Sequence, residues 1–224
     1  MASQNTDVPI RDAATVILVR DPETNPSVLM GQRGKTAAFM PDKFVFPGGA
    51  VDVADADVAL PAALSDLCQQ RLLAQNSGAS PTALATAAIR ELWEETGLRL
   101  ARELAWSPAA GWEGFGPAGI APDASALSFF SRAVTPPGRP RRFDARFFLA
   151  DAAAVWGDPD DFSSAEDELS HLHWAPLTEV RKLNLPFITR VVLAELQAHL
   201  PSTSAPDRVP FIRNDVIDSE VIWL

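Results

Sequence analysis

The sequence predicts an α/β domain, and three observations carry that expectation. Short apolar runs near the start of the chain are spaced as strands of a hairpin. Residues 80–97 carry a full set of helix signals at both ends. Strand-like alternation at 143–149 is followed by a second amphipathic helix near 185–200.

Taken in order, Ala13 to Arg20 is a largely apolar run ended by Asp21-Pro22, and Ser27 to Gln32 resumes the pattern after a turn, which predicts a hairpin. Lys43 to Phe46 is a third strand-like piece, stopped by Pro47-Gly48-Gly49, where two glycines allow a tight turn and close backbone approach to a ligand. Between Val58 and Gln75, Leu60, Leu64, Leu67, Cys68 and Leu72 fall at helical spacing, with Pro61 in the first turn. Asn76-Ser77-Gly78-Ala79 breaks that helix. Ser80 as N-cap and Pro81 at the first helical position then open the next, which Gly97 closes. Phe143, Ala145, Phe147 and Leu149 alternate with Arg142, Asp144, Arg146 and Phe148, which predicts a strand with one polar side. His171 to Trp174 is a further short strand. From Leu185-Pro186 onward, Ile188, Val191, Val192, Leu196 and Leu200 form an apolar stripe that ends at Pro201.

Composition narrows the function. With 47% hydrophobic and 21% charged residues the chain can bury a core, which excludes global disorder. Nineteen Lys and Arg against 29 Asp and Glu leave a net charge of −10, which argues against long nucleic acid and against an anionic membrane as partner. An anionic substrate would need metal ions or local arginines to offset that repulsion. The single cysteine, Cys68, cannot form an internal disulfide and reads as a small buried thiol. No stretch reaches the roughly 18 apolar residues of a membrane span, and MASQNTDVPIRD has no apolar signal core, so the cytoplasm is the expected location. With neither repeats nor a long polar linker, one domain over 1–224 is expected. The tail, Val209 to Ile212 and Val216 to Leu224, is apolar for a terminus and is expected to pack on the core or on a second subunit, which keeps a homodimer open.

The chemistry concentrates in Arg90-Glu91-Leu92-Trp93-Glu94-Glu95-Thr96-Gly97-Leu98. Helical periodicity puts Glu91, Glu94 and Glu95 on one face, with Ala87 a turn earlier leaving room for a ligand. Like charges so arranged repel unless something positive neutralises them, and oxygen donors suit Mg²⁺ or Mn²⁺. A solvated acidic face is the competing reading of the three glutamates alone.

Phe46-Pro47-Gly48-Gly49 and Arg90 to Leu98 resemble the two ends of the Nudix box, G-x5-E-x7-R-E-U-x-E-E-x-G-U with U aliphatic, and the second half matches at every specified position. Gly49 and Arg90 stand 41 positions apart where that pattern has 14, an excess of 27 residues that is expected to hold a helical insertion over about 53–80. The lead-in Phe39 to Asp52, Thr135-Pro136 with Arg141 to Phe148, and Glu168 to Pro176 are similar to a subgroup with an enlarged box that includes peroxisomal coenzyme A diphosphatases of animals.

The resemblance implies an α/β/α sandwich with a mixed sheet and a Mg²⁺- or Mn²⁺-dependent hydrolase acting on a small nucleoside diphosphate derivative. Coenzyme A or acyl-CoA is the first substrate, and ADP-ribose and NADH are alternatives. A non-catalytic nucleotide-sensing module is the reading from another class, which the intact carboxylate set disfavours. Carried over by position, Glu94 and Glu95 are metal ligands, Glu91 a further ligand or anchor, the Gly49 carbonyl a backbone ligand, and Arg90 the group that orients a carboxylate. Glu168 is the first candidate for general base or extra ligand, with Glu166 its competitor. Asp52, ahead of Asp55 and Asp57, is the expected substitute for the first box glutamate. Arg33, Arg142 and Arg146 are candidate phosphate contacts, and Phe39, Phe44 and Phe46 either stack a base or belong to the core. No role attaches to His171 or His173.

Overall fold

The first strand, β1 (Ile10–Arg20), sends alternate side chains to two different cores. Ala14, Val16 and Leu18 join one cluster, and Ile17 and Val19 the other. A strand buried on both faces needs a helical layer on each side. The computed structural model, which describes residues 8–75, 78–214 and 219–224, supplies those layers. Residues 1–7, the Asn76-Ser77 break and Val216 to Asp218 of the apolar tail lie outside the described residues.

The turn after β1 leads into β2 (Ser27–Arg33), whose antiparallel pairing through Val19↔Val28 makes the expected hairpin. Two short strands follow, β3 (Phe44–Val45) on β2 and β4 (Gly48–Ala50) on β1. A 3₁₀ turn at Val53–Asp57 precedes α1 (Asp66–Leu73), and α2 (Pro81–Thr96) comes next. After α2 the chain forms β5 (Arg99–Glu103), β6 (Ile120–Pro122), β7 (Ser128–Val134), β8 (Arg142–Asp151) and β9 (Val155–Trp156). It ends with β10 (Leu169–Pro176), α3 (Phe187–His199), β11 (Pro210–Asn214) and β12 (Ser219–Trp223).

Strand order in the large sheet is β10-β2-β1-β8-β7-β11-β12, with β3 and β4 attached to β2 and β1. Parallel pairs β1–β8 and β7–β11 stand among antiparallel ones, so the sheet is mixed. Strands β6-β5-β9 form a second, small sheet. Leu84, Ala88, Ile89 and Leu92 of α2 cover one face of the large sheet, and Val192, Leu193 and Leu196 of α3 cover the other. The expected α/β fold with a large mixed sheet is therefore what the chain adopts.

Two expectations need correction. The helix expected over 58–75 is confined to Asp66–Leu73, because Ser65 caps it by accepting from the Cys68 N–H while Ala62 bridges to Asp123 in extended backbone. Its apolar residues Leu64, Cys68 and Leu72 still enter the core, and burial pushes the Cys68 thiol up to about 11, as an inert buried thiol requires.

The polar side expected for β8 is half-buried at Arg142 and Asp144 and fully buried at Arg146. Arg146 is 1% exposed and pairs with Asp12 and Asp144, so it is a core cation and not a phosphate contact. Asp144 also takes two bonds from Arg132, from Nε at 2.8 Å and Nη2 at 2.6 Å. Arg132 reaches on to the carbonyl of Gln75, and Asp12 accepts from the Ala79 N–H, which ties both ends of the α1–α2 connection to the sheet. Asp144→Asn removes the charge these two buried guanidinium groups share. It is expected to destabilise the protein by about 2 kcal/mol, measured as a lower urea midpoint at unchanged slope.

Candidate active site

The site is built where β4 crosses the face of α2. Ala14↔Gly49 and Thr15↔Gly48 are register pairs, which bring the Gly48-Gly49 backbone to the central strand. Gly48 has φ +151°, and a Cβ there would lie 2.4 Å from the Ala14 carbonyl oxygen, so this crossing admits only glycine. Its N–H points at the helix and donates to Glu95 Oε2 at 2.7 Å. A Cβ on Gly49 would come within 2.4 Å of Glu91 Oε2, which means the Glu91 carboxylate rests directly on the Gly49 backbone.

The helix that carries the acids forms for the local reasons legible in its sequence. Ser80 accepts from the Ala83 N–H, Pro81 takes the first turn, and Gly97 leaves in the left-handed region at φ +77°. Its apolar face fixes rotation about the axis, and Glu91, Glu94 and Glu95 turn toward Gly48-Gly49 and the loop before β10.

Arg90 is the hub. Nε and Nη2 clasp the two oxygens of Asp55 at 2.9 Å each, Nη1 donates to Glu91 Oε1 and Glu94 Oε2 at 2.9 Å, and Nη2 also reaches the Ala50 carbonyl at 3.1 Å. These bonds occupy all the N–H donors of a guanidinium. Burial opposes its charge, but the Asp55 hydrogen bond and the charges of Glu91, Asp55 and Glu94 outweigh that and hold Arg90 firmly protonated.

Asp55, ranked behind Asp52 on the sequence, is the aspartate that the fold sets on Arg90. It is 2% exposed and accepts from the Asp52 N–H at 2.8 Å as well as from Arg90. Asp52, the expected substitute, is 62% exposed in its side chain and stands 3.9 Å from Arg90. The signal was present, because Asp55 is the sixth residue after Gly49, where G-x5-E puts the box glutamate. Asp55→Asn is expected to lower turnover about tenfold by loosening Arg90, whereas Asp52→Asn changes it less than about twofold; steady-state kinetics on both variants separates the two aspartates.

The three glutamates sit in an environment that disfavours their combined charge. Burial pushes Glu91 up to about 7, outweighing Arg90, with Glu94 and Glu168 adding to the rise. Burial also lifts Glu95 well above the usual carboxylate range against the Gly48 hydrogen bond, and Glu91 and Glu168 reinforce it. Glu94 is raised by burial too, against Arg90. Among the described residues no three acidic, histidine or cysteine side chains already converge as a finished metal cage. The donor set nevertheless fits a hard divalent cation: oxygen atoms only, clustered carboxylates whose charge lacks full compensation, and a glycine whose missing Cβ keeps the backbone within reach of Glu91.

The loop before β10 joins the same site. The Glu166 N–H donates to the Glu94 carbonyl at 2.8 Å, and Glu168 pairs with Arg33 at 3.0 Å. Glu91, Glu94, Glu95, Arg90, Gly49, Arg33 and Glu168 are thus brought together. Other candidates are not. Phe46 is 3% exposed in the α3-side core with Ile17, Val28 and Met30, so it is a packing residue and not a base-stacking one. Phe44 packs on the same core and edge-on to His173, and Phe39 lies edge-on to Phe143. Arg142 is bound to the Thr135 carbonyl at 3.0 Å, at the start of β8 beside Ile10 and several residues up the ladder from the pair Ala14↔Gly49.

No family model matches the chain. The crystal structure of a Nudix hydrolase from Alicyclobacillus acidocaldarius is similar to it with a TM-score of 0.63 and 30% identity, covering 86% of this chain and 93% of that one. A Caenorhabditis elegans protein named nudix hydrolase 7 is also 30% identical, over 73% of this chain and 50% of its own length, so the chain spans about half of that relative. With this fold, this helix and these relatives, the chain belongs to the Nudix hydrolase family.

Proposed function

We propose that the chain is a Mg²⁺- or Mn²⁺-dependent hydrolase that cuts the diphosphate linkage of a nucleoside diphosphate joined to another group, with coenzyme A or an acyl derivative as first substrate. The observation that carries the reading is the Arg90 hub, which gathers Asp55, Glu91 and Glu94 beside the Gly48-Gly49 turn while Glu95 is held on the Gly48 N–H. Such a cluster of carboxylates is costly in a net acidic protein unless it serves a cation.

Glu91, Glu94, Glu95 and the Gly49 carbonyl would hold the metal. When bound, the metal offsets the charge of the diphosphate and lowers the pKa of a coordinated water. The chain's own groups do the rest. Arg90 fixes the rotamers of Glu91 and Glu94, and the Gly48 N–H fixes Glu95, so the carboxylates are organised before substrate arrives. Glu168 accepts a proton from the attacking water. The oxygen of that water bonds to one phosphorus as the bridging P–O bond breaks, and two phosphomonoesters leave. The residues between Asp55 and the start of α2, where the excess inside the box lies, are read as an insertion that shapes access to this site, and the acidic chain with its one buried thiol fits a cytoplasmic enzyme.

A substrate panel tests the reading: coenzyme A, acetyl-CoA, ADP-ribose and NADH, each with Mg²⁺ or Mn²⁺, with both products identified by mass spectrometry in ¹⁸O-labelled water. Label in one of two monoesters is the expected result. Saturable nucleotide binding with no turnover under either metal would make the protein a sensing module.

A further inference from the structure

We infer that Arg33 is a positioning residue for Glu168, not a phosphate contact; the inference deepens the hydrolase reading and rests on it for the role of Glu168. Arg33 and Leu169 are directly opposed in the β2–β10 ladder, so the sheet sets the residue next to Glu168 against Arg33. On its other side the Arg33 N–H donates to the Lys43 carbonyl at 2.9 Å. Its backbone is therefore fixed from both edges.

The side chain is fixed at two points as well. Nε donates to the Phe39 carbonyl at 3.0 Å and Nη2 to Glu168 Oε1 at 3.0 Å. A planar guanidinium held at two of its corners has no freedom left to swing toward a substrate without abandoning a partner. Glu168 is 55% exposed in its side chain while Arg33 is 18% exposed, so the carboxylate is the mobile member and the guanidinium the anchor. Ser170 adds a bond from Oγ to the Gln32 carbonyl at 3.1 Å, directly before the ladder shifts register between Ser170 and His173. This short stretch of regular pairing thus ends where Glu168 must be aimed.

An exposed ion pair contributes little to stability. Its effect here is on orientation, since an unrestrained glutamate on a loop samples several rotamers and only some face the α2 carboxylates. Phe39 belongs to the segment between β2 and β3, so Arg33 also links that segment to the acidic loop.

A double-mutant cycle and one crystal structure test the inference. Arg33→Ala is expected to lower kcat about tenfold with KM changed less than about threefold, and Arg33→Lys, which keeps charge but not the fork, to recover part of the loss. Added to Glu168→Gln, Arg33→Ala should change kcat by less than about twofold, because its effect passes through a group already lost. Multiplying effects, or a loss expressed in KM, would overturn the inference and make Arg33 a direct substrate contact. In a crystal structure of Arg33→Ala the Glu168 side chain should leave its present position, and an unmoved Glu168 would equally overturn the inference. Absence of turnover of every panel compound by the wild-type protein would sink the hydrolase reading, and the crystal structure would still decide the role of Arg33.

Discussion

Glu95→Gln and Glu94→Gln are each expected to lower kcat by at least about 100-fold in protein that remains folded. The amide keeps the shape of the side chain and removes its charge. For Glu95 the fold has every reason to tolerate the change: the residue is 2% exposed, burial already favours its neutral form, and a glutamine oxygen can accept the Gly48 N–H as the carboxylate does. For Glu94 the Arg90 contact becomes a neutral one, and Asp55 and Glu91 still hold the guanidinium. What neither glutamine supplies is a negative oxygen for a divalent cation. A 100-fold loss corresponds to about 2.7 kcal/mol of transition-state stabilisation, which is the scale for one preorganised charged group in a dry site. The check is kcat at saturating Mg²⁺ and Mn²⁺ together with circular dichroism and thermal melting. Near-normal metal-dependent rates in either folded variant would remove the proposed centre.

Local signals account for what the sequence made legible. Ser80, Pro81 and Gly97 bound α2 within the chain itself, so its ends and its acidic face could be placed from residues a few positions apart. The same holds for the hairpin around Asp21-Pro22. Properties that depend on distant partners were not legible. Arg146 is a core residue because Asp12, 134 positions away, joins Asp144 of its own strand beside it, across the parallel β1–β8 pair. Phe46 is buried because α3 covers it, which no residue near it announces. Pairing of β11 with β7 likewise joins Phe211 to Arg132, and turns the apolar tail from an unexplained run into sheet. Asp55 differs from these. Counting from Gly49 reaches it, Asp52 lies nearer the glycines, and the Arg90 clasp decides between the two.

Metal-free protein should lose stability as pH rises from about 4.5 to about 7, the reverse of ordinary acid unfolding. Glu91 is held near 7 by burial, against an ordinary value of 4.5, despite its bond from Arg90. A carboxyl with a raised pKa binds its proton more tightly in the folded state than in the unfolded one. Its stabilising contribution is complete below 4.5 and is lost as pH climbs through the folded value. The shift corresponds to roughly 3 kcal/mol, and Glu94 and Glu95, raised in the same direction, steepen the slope. Arg90 stays protonated across this window and adds nothing to the slope. A divalent cation bound by the ionised cluster should reverse the trend, because the protons it must displace are already gone at high pH. Urea unfolding in EDTA at pH 5, 6, 7 and 8 reads the slope directly, and Glu91→Gln should flatten it by roughly 3 kcal/mol over the range. Excess Mg²⁺ should raise the melting temperature more at pH 8 than at pH 5. If metal-free wild type and Glu91→Gln show the same pH dependence, Glu91 is ionised at its ordinary pKa in the fold, and the crowding of charge that argues for a cation beside Gly49 is gone.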